Sequence, residues 1–392
     1  MDPLELGGIR EAIRRENLDG WLFCNFQHRD TLADAVLRIG GGESNSRLWF
    51  YAVPALGEPV KLVHAVEAGI LDGLAGTKAI YVSREDLRAA LKPLGGKRWA
   101  VHSSDSLTAV SFLDAGTAAF LEKAGLVLVS AASLIQRFRG LLDAAGIASH
   151  ERAVDQLYGI VDLAWDRVQR AYAGARPLYE GDLRDLMLEE MDRRGLVTGH
   201  PPIAAAGANS GNPHYGFTGR GGRIRRGDVI QLDLWAREKA PAAVYGDIAW
   251  AGVFSGEAPA ETERRFADLV SAREGAFRFI GTELAAGRNV SGAMVDRETR
   301  KMLTALGYGE ALKHRTGHGI DTECHGSGVN MDSVEFPDSR LLLEGACFSL
   351  EPGVYFPGFG LRTEIDVYIA QGKPVVSGKN HSRQFKLLTC RS

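Results

Sequence analysis

The sequence predicts an α/β domain over residues 1–145 followed by an α+β domain over residues 146–392. Three observations carry this expectation. The chain has 392 residues, long for one core. Its first part alternates short helical runs with strand-like runs. Its second part sets strand runs between long amphipathic helices.

In chain order, IREAIRRENLDG predicts a helix ending near Gly20, and WLFCNF a strand. RLWFYAVP, PVKLVHAV, AIYVS and RWAVHS predict further strands, and LVLVSAASLIQRFRGLLD a strand and then a helix. A second unit begins near Ser149. Val154, Leu157, Val161, Ala164, Trp165, Val168 and Tyr172 recur at helical spacing between Ala153 and Tyr172. Asp182 is placed to cap LRDLMLEEMDRRG, which stops at Gly195. Two more helices are expected over 262–285 and 291–306. DVIQLDLWA, AVYGDIAWAGVF, CFSLEPGVYF and LRTEIDVYIA are strand runs suited to an antiparallel sheet.

Composition is that of a globular protein, with 45% hydrophobic and 24% charged residues. A net charge of -3 argues against a dedicated nucleic-acid binder. Arg220, Arg223, Arg225 and Arg226 cluster just before a strand run and read as a solvated turn. The N-terminus is charged throughout and carries no signal-peptide core. No stretch approaches the roughly 20 apolar residues of a membrane span, so no membrane partner is expected. Cys24, Cys324, Cys347 and Cys390 show neither C-x-x-C spacing nor a disulfide framework. A cytoplasmic setting is the expectation.

The chemistry-bearing residues lie late in the chain. Asp233, Asp247, His318, Glu351 and Glu364 occur in QLDLW, YGDIAW, TGHGI, SLEPG and RTEID. Side chains alternate across a strand. Ile230, Leu232 and Leu234 therefore share one face, and Gln231, Asp233 and Trp235 the other. In the last strand Leu361, Thr363, Ile365, Val367 and Ile369 oppose Arg362, Glu364, Asp366 and Tyr368. Neighbouring buried acids are costly unless cations neutralise them, and two divalent cations balance four carboxylates. Ordinary surface acids on half-exposed strands are the competing reading, and the pattern by itself leaves both open.

The order Asp, Asp, His, Glu, Glu within DLW, GDI, GHGI, EPG and RTE resembles the pita-bread metallopeptidases, which include methionine aminopeptidase, aminopeptidase P and prolidase. The motifs span about residues 200–370. The upstream region resembles the creatinase-like N-terminal domain of the proline-specific members. The resemblance implies a fold, an α/β creatinase-like domain followed by an α+β pita-bread catalytic domain, and it implies roles. Asp233 would hold one metal, His318 and Glu351 the other, and Asp247 and Glu364 would bridge both. His214, in GANSGNPHYG, and His325 match substrate-side histidines. His314 and Arg362 match substrate residues of the proline-specific branch.

There are departures. Trp235 stands where the family usually has Gly, and Gly326 where it usually has an acid. The gap from Asp233 to Asp247 is longer than usual, which a bulge or a longer hairpin loop would absorb. These changes bear on pocket shape more than on ligation.

The implied activity is hydrolysis of the bond before proline in small proline-containing peptides, by an Xaa-Pro aminopeptidase or Xaa-Pro dipeptidase. Two divalent ions about 3.5–4 Å apart share a water and lower its pKa, and the hydroxide attacks the carbonyl. Glu351 is the candidate to relay the proton, His325 to stabilise the oxyanion, and His214 to protonate the leaving nitrogen. Manganese is the first choice of metal, with cobalt, zinc and iron also fitting the donors. A homodimer is expected by analogy. The alternatives are a creatinase-like C–N hydrolase acting on a small non-peptide substrate, or a non-enzymatic pita-bread binding protein.

Bland readings cover the remaining candidates. His314 and His318 form H-x-x-x-H, but Arg315 stands where a zincin needs Glu. GANSG does not have the spacing of a nucleophile elbow. Cys324 reads as a small filler residue facing away from His325. His28, His64, His102, His150, His200 and His381 read as structural or solvent-exposed.

Overall fold

A computed structural model of the chain describes residues 3–40, 42, 44–379 and 384–388. His381 and Cys390 lie outside the described residues. The backbone divides into Met1–Arg139 and Gly140–Ser392, so the observed division falls a few residues before the expected one at 145.

The first unit runs α1 (Pro3–Arg15), β1 (Gly20–Asn25), α2 (Thr31–Leu37), β2 (Trp49–Pro54), β3 (Val60–His64), β4 (Thr77–Tyr81), α3 (Arg84–Leu91), β5 (Arg98–Val101), α4 (Ala115–Lys123), β6 (Val127–Ser130) and α5 (Ala132–Arg139). The strands form one mixed sheet in the order β4-β3-β2-β1-β5-β6. The apolar run WLFC in β1 follows from burial on both faces. Trp21 and Phe23 pack with α1, α2 and α5, while Leu22 packs with α3 and α4. The sequence reading passed over α2, α3 and α4. Each is short, and each begins at a cap: Asp30 accepts from Ala33 N, Ser83 from Asp86 N, and Asp114 from Thr117 N.

The second unit opens with α6 (Ala144–Ala173), β7 (Leu178–Tyr179), α7 (Glu180–Arg193), β8 (Leu196–Val197), β9 (Ile203–Ala206) and β10 (Arg223–Ile224). β11 (Val229–Glu238), β12 (Gly246–Val253), α8 (Ala260–Ala285) and α9 (Gly292–Ala305) follow. The unit closes with β13 (Cys347–Leu350), β14 (Gly353–Tyr355), β15 (Gly360–Arg362), β16 (Ile365–Ala370) and β17 (Lys373–Val376). All of its paired strands are antiparallel.

α6 begins earlier than its apolar periodicity. Asp143 caps it by accepting from Gly146 N, and its first turn faces solvent. Asp182 does not cap α7 from outside. It sits in the first turn, and its carboxylate accepts from Tyr179 N at 3.0 Å. Two strand runs break where the chain must leave the ladder. CFSLEPGVYF divides at Glu351–Pro352, where proline lacks an N–H. LRTEIDVYIA divides at Thr363–Glu364.

Two helix pairs cover the strands. α6 packs Leu157, Val161, Trp165 and Val168 onto Ile230, Leu232, Leu234 and Ile248. Burying each such aliphatic side chain is worth about 1.5–3 kcal/mol. α8 and α9 bring Ala276, Ile280 and Val295 against Phe348, Leu350, Ile365 and Val367. The other face of β11 is buried too. There Val229 and Ala251 meet Phe266 and Leu269 of α8. The expectation of one core face and one polar face is thus corrected: both faces of these strands are inside.

The segment carrying His318 lies tight against β13. Gly317 pairs with Met331, and Gly319 with Phe348. A Cβ at Gly317 would overlap the Ser349 carbonyl, which belongs to backbone and cannot swing aside. Gly317→Ala should therefore destabilise the protein by about 1–3 kcal/mol, read as a lower urea midpoint. An unchanged midpoint would contradict this packing.

Candidate metal centre

Register places the first three acids together. β11 and β12 pair Asp233 with Ala249 and Trp235 with Asp247. Directly opposed residues point to one face, so Asp233, Trp235, Asp247 and Ala249 share a side. Ala249 also bridges to Glu364, whose N–H donates to Ala249 O at 3.3 Å. The pairing runs unbroken from Val229↔Val253 to Ala236↔Gly246. The extra hairpin residues therefore lie in the 239–245 connection, and no bulge is needed.

His318 and Glu351 arrive on neighbouring segments. His318 N donates to Ser349 Oγ at 3.0 Å, and Ser349 N to His318 O at 2.9 Å. Glu351 N donates to Thr316 O at 2.7 Å. α9 fixes this stretch from behind. Asp296 accepts from Thr316 N at 3.0 Å and Oγ1 at 2.6 Å, while Arg300 donates to His314 O at 2.6 Å.

His318 Nε2 stands 3.5 Å from both Asp247 Oδ2 and Glu351 Oε1. Ligand atoms of Asp247, His318 and Glu364 lie within 4.8 Å of one another. Asp247 Oδ1 and Glu364 Oε1 are buried with no hydrogen-bond partner. Such orphaned acceptors are expensive, and a cation between them removes the penalty. Asp233 joins the cluster through Arg362, whose Nη2 pairs with its Oδ2.

The electrostatics follow from crowding. Burial, then Asp247, Glu351 and Asp233, pushes the Glu364 carboxyl well above its ordinary value. Burial also raises Asp233, to about 7, against the opposing pull of Arg362. For Glu351 burial pushes upward, but His318, His314 and Arg362 together hold the group below its usual value. Burial opposes charge on His318, yet Asp247 and Glu351 raise it overall. That charge lowers neighbouring His325 to about 3, with burial adding to the effect.

The candidate substrate-side residues form a second group. His314 Nε2 lies 2.8 Å from the Tyr355 hydroxyl, which accepts from Arg362 Nη1 at 3.0 Å. Arg362 Nη1 also donates to Pro213 O at 3.3 Å, tying the adjacent His214 loop to the cluster. His214 itself is exposed at the rim. The His325 ring lies 4.2 Å from that of His318.

The structure corrects one reading outright. Cys324 is not a filler facing away from the site; its Sγ donates to Asp247 Oδ2 at 3.0 Å. Strand alternation does not apply because residues 321–325 bend. Asp321 turns this loop by accepting from Glu323 N at 2.9 Å and Ser327 N at 2.7 Å. The same turn explains Gly326, where a Cβ would meet Asp321 Cγ at 2.6 Å. Trp235 packs with Tyr245, Ile320 and Cys324 and gives the site an apolar wall.

Three supporting residues escaped the sequence reading. Asp366 Oδ2 accepts from Asp247 N at 2.7 Å. Arg273, fully buried on α8, donates to Thr363 Oγ1 at 2.5 Å beside Glu364. Tyr355 joins His314 to Arg362. Asp366 and Tyr355 carried no signal beyond strand alternation, and Arg273 looked like one more helical arginine. The other histidines are structural or exposed as expected where described. His102 pairs with Asp30 at 2.6 Å, and His150 contacts Tyr245 O at 2.6 Å.

Among the described residues no helix is long and apolar enough to cross a membrane. Residues 152–371 match the family model of metallopeptidase family M24. A Mycobacterium tuberculosis protein described as "Probable dipeptidase PepE" is 26% identical over 88% of each chain. The Xaa-Pro dipeptidase of Lactobacillus delbrueckii subsp. lactis is 30% identical over 43% of this chain and 42% of its own. The crystal structure of dipeptidase PepE from Mycobacterium ulcerans superposes with a TM-score of 0.72, at 21% identity, over 98% of this chain and 97% of that one. This last likeness is one of fold.

The crowded acids make stability depend on pH. Asp233 and Glu364 have raised folded values, so the stability they confer is complete below the unfolded value of about 4. It is lost as pH rises through the folded value, which for Asp233 is about 7. His318, also raised, changes in the same direction. Depressed Glu351 acts below this window. The chelated protein should therefore melt at a lower temperature at pH 7.5 than at pH 5, and Mn²⁺ should restore the loss. Equal melting temperatures at the two pH values after chelation would contradict the arrangement.

Proposed function

The chain belongs to metallopeptidase family M24, and from that premise we propose that it hydrolyses the peptide bond before proline in small peptides, as an Xaa-Pro dipeptidase or aminopeptidase with two divalent cations. The observation that carries this reading is the convergence of Asp247, His318 and Glu364, with buried carboxylate oxygens left unpartnered. Retention of Asp233, Asp247, His318, Glu351 and Glu364 together favours the peptidase over a metal-free creatinase-like hydrolase or a binding protein.

The donor set fits divalent cations. Asp233 would serve one position, His318 and Glu351 the other, with Asp247 and Glu364 shared. Oxygen-rich donors with one imidazole suit manganese first, and also cobalt, zinc or iron. When bound, such a pair supplies Lewis acidity towards the scissile carbonyl and lowers the pKa of a water.

The chain's own residues supply the rest. Glu351, held low by the cations around it, is ionised near neutral pH. It can accept a proton from the attacking water and pass it to the leaving nitrogen. His325 is neutral there, because positive charge at His318 and its own burial hold it below its ordinary value. Its N–H can donate to the carbonyl oxygen as negative charge develops. His214, on the exposed rim, would serve the imide nitrogen. Arg362 and His314, joined by Tyr355, hold the substrate side in one arrangement. Trp235 packs against the apolar cluster that contains Ile320, beside the acids. A cytoplasmic homodimer is part of this proposal, on the sequence grounds and family analogy already given.

The test is hydrolysis of Ala-Pro and Ala-Pro-Ala after reconstitution with Mn²⁺ or Co²⁺, with chelated protein as control. Cleavage of the dipeptide alone assigns a dipeptidase, and cleavage of the tripeptide an aminopeptidase. Metal-dependent cleavage of neither overturns the proposal. Glu351→Ala should lower kcat by about 10²–10⁴-fold; near wild-type turnover would remove Glu351 from its role.

A further inference from the structure

Cys324 brings a thiol to the acids, and it does not stand alone. Its Sγ, a His318 ring nitrogen and a His325 ring nitrogen lie within 4.8 Å of one another. The two imidazoles meet with centroids 4.2 Å apart at 59°. His318 is buried, Cys324 half-buried and His325 exposed, so the cluster opens towards solvent. We propose that His318, Cys324 and His325 form a second cation site, selective for thiophilic divalent ions such as Zn²⁺ or Cd²⁺, that overlaps the Asp247–His318–Glu364 centre through His318.

The donors differ in chemistry from those of the neighbouring centre. A thiolate is a soft ligand and imidazoles suit zinc-like ions, whereas carboxylates suit manganese. Zn–S and Zn–N bonds of about 2.3 and 2.0–2.1 Å place two donors on one ion roughly 3.5 Å apart. The cluster approaches that spacing before any ion arrives, and the exposed His325 closes it by rotation. On binding, the thiol proton and the proton carried by His318 pass to solvent, and the freed thiolate and imidazole nitrogen bond the ion. The hydrogen bond from Sγ to Asp247 Oδ2 is given up in the same step.

Sharing His318 makes the two centres compete. An ion held by Cys324 takes His318 from Asp247 and Glu351, and His325 from the carbonyl side. Thiophilic ions in excess therefore displace the productive arrangement. This consequence rests on the peptidase reading, but the site itself is measured without any peptide.

The experiment is titration of the chelated full chain with Co²⁺, read by the sulfur-to-cobalt charge-transfer band in the near ultraviolet. The wild-type chain should develop the band, and Cys324→Ser should lose it. Absence of the band at saturating Co²⁺, or its persistence in Cys324→Ser, overturns the proposal. A measurement on the unmutated chain guards against a variant that fails to fold. Iodoacetamide labelling of Cys324, followed by mass spectrometry, should be lost in Zn²⁺ and retained in Mn²⁺. Equal labelling with the two ions overturns the selectivity. Absence of peptide cleavage with Mn²⁺, beside an intact Co²⁺ band, would sink the peptidase reading and leave this site standing.

Discussion

Like-charge crowding is the constraint on which the second unit depends. Asp233, Asp247 and Glu364 reach one buried face because backbone pairing puts them there: Asp233 opposite Ala249, and Ala249 bridged to Glu364. Side chains cannot swing off a ladder whose reverse face is packed by α6. The repulsion must therefore be met where it arises. Arg362 meets it at Asp233, the charge on His318 meets it at Asp247, and Glu364 meets it by holding its proton.

The scaffold around the acids is stiff for the same reason. Asp366 holds the Asp247 backbone, Asp296 the stretch before His318, and Arg273 the residue beside Glu364. Each is a buried ionisable group hydrogen-bonded to the segment it steadies. Their own burial is costly, and hydrogen bonding makes it tolerable. A centre built this way is pre-formed before a cation arrives, and a loose one would splay under its own repulsion. The rim, where His214 and His325 stand, is exposed.

The departures from the family pattern prove to be linked. The bend at 321–325 is closed by Asp321, and it both excludes a side chain at Gly326 and turns Cys324 towards Asp247. Trp235 packs on that same loop. Two departures that look independent along the chain, Trp235 and Gly326, thus reshape one wall together with Cys324. They bring apolar surface and a thiol to a site otherwise made of oxygen and imidazole.

Periodicity by itself determined the long helices, the strand runs and the faces on which Asp233 and Glu364 stand, because helix and strand geometry repeats along the chain. The flanking motifs singled out the five candidate donors. Short helices α2, α3 and α4 were legible only through their caps. Tertiary structure decided what periodicity cannot carry: that both faces of β11 are buried, that two strand runs break at Glu351–Pro352 and Thr363–Glu364, and that Cys324 points into the site. Each of these depends on a contact with a distant segment, such as Thr316 O for Glu351 N or Ala249 for Glu364. A local pattern records the direction of a side chain only while the chain stays regular. Where it bends to meet another segment, the partner decides.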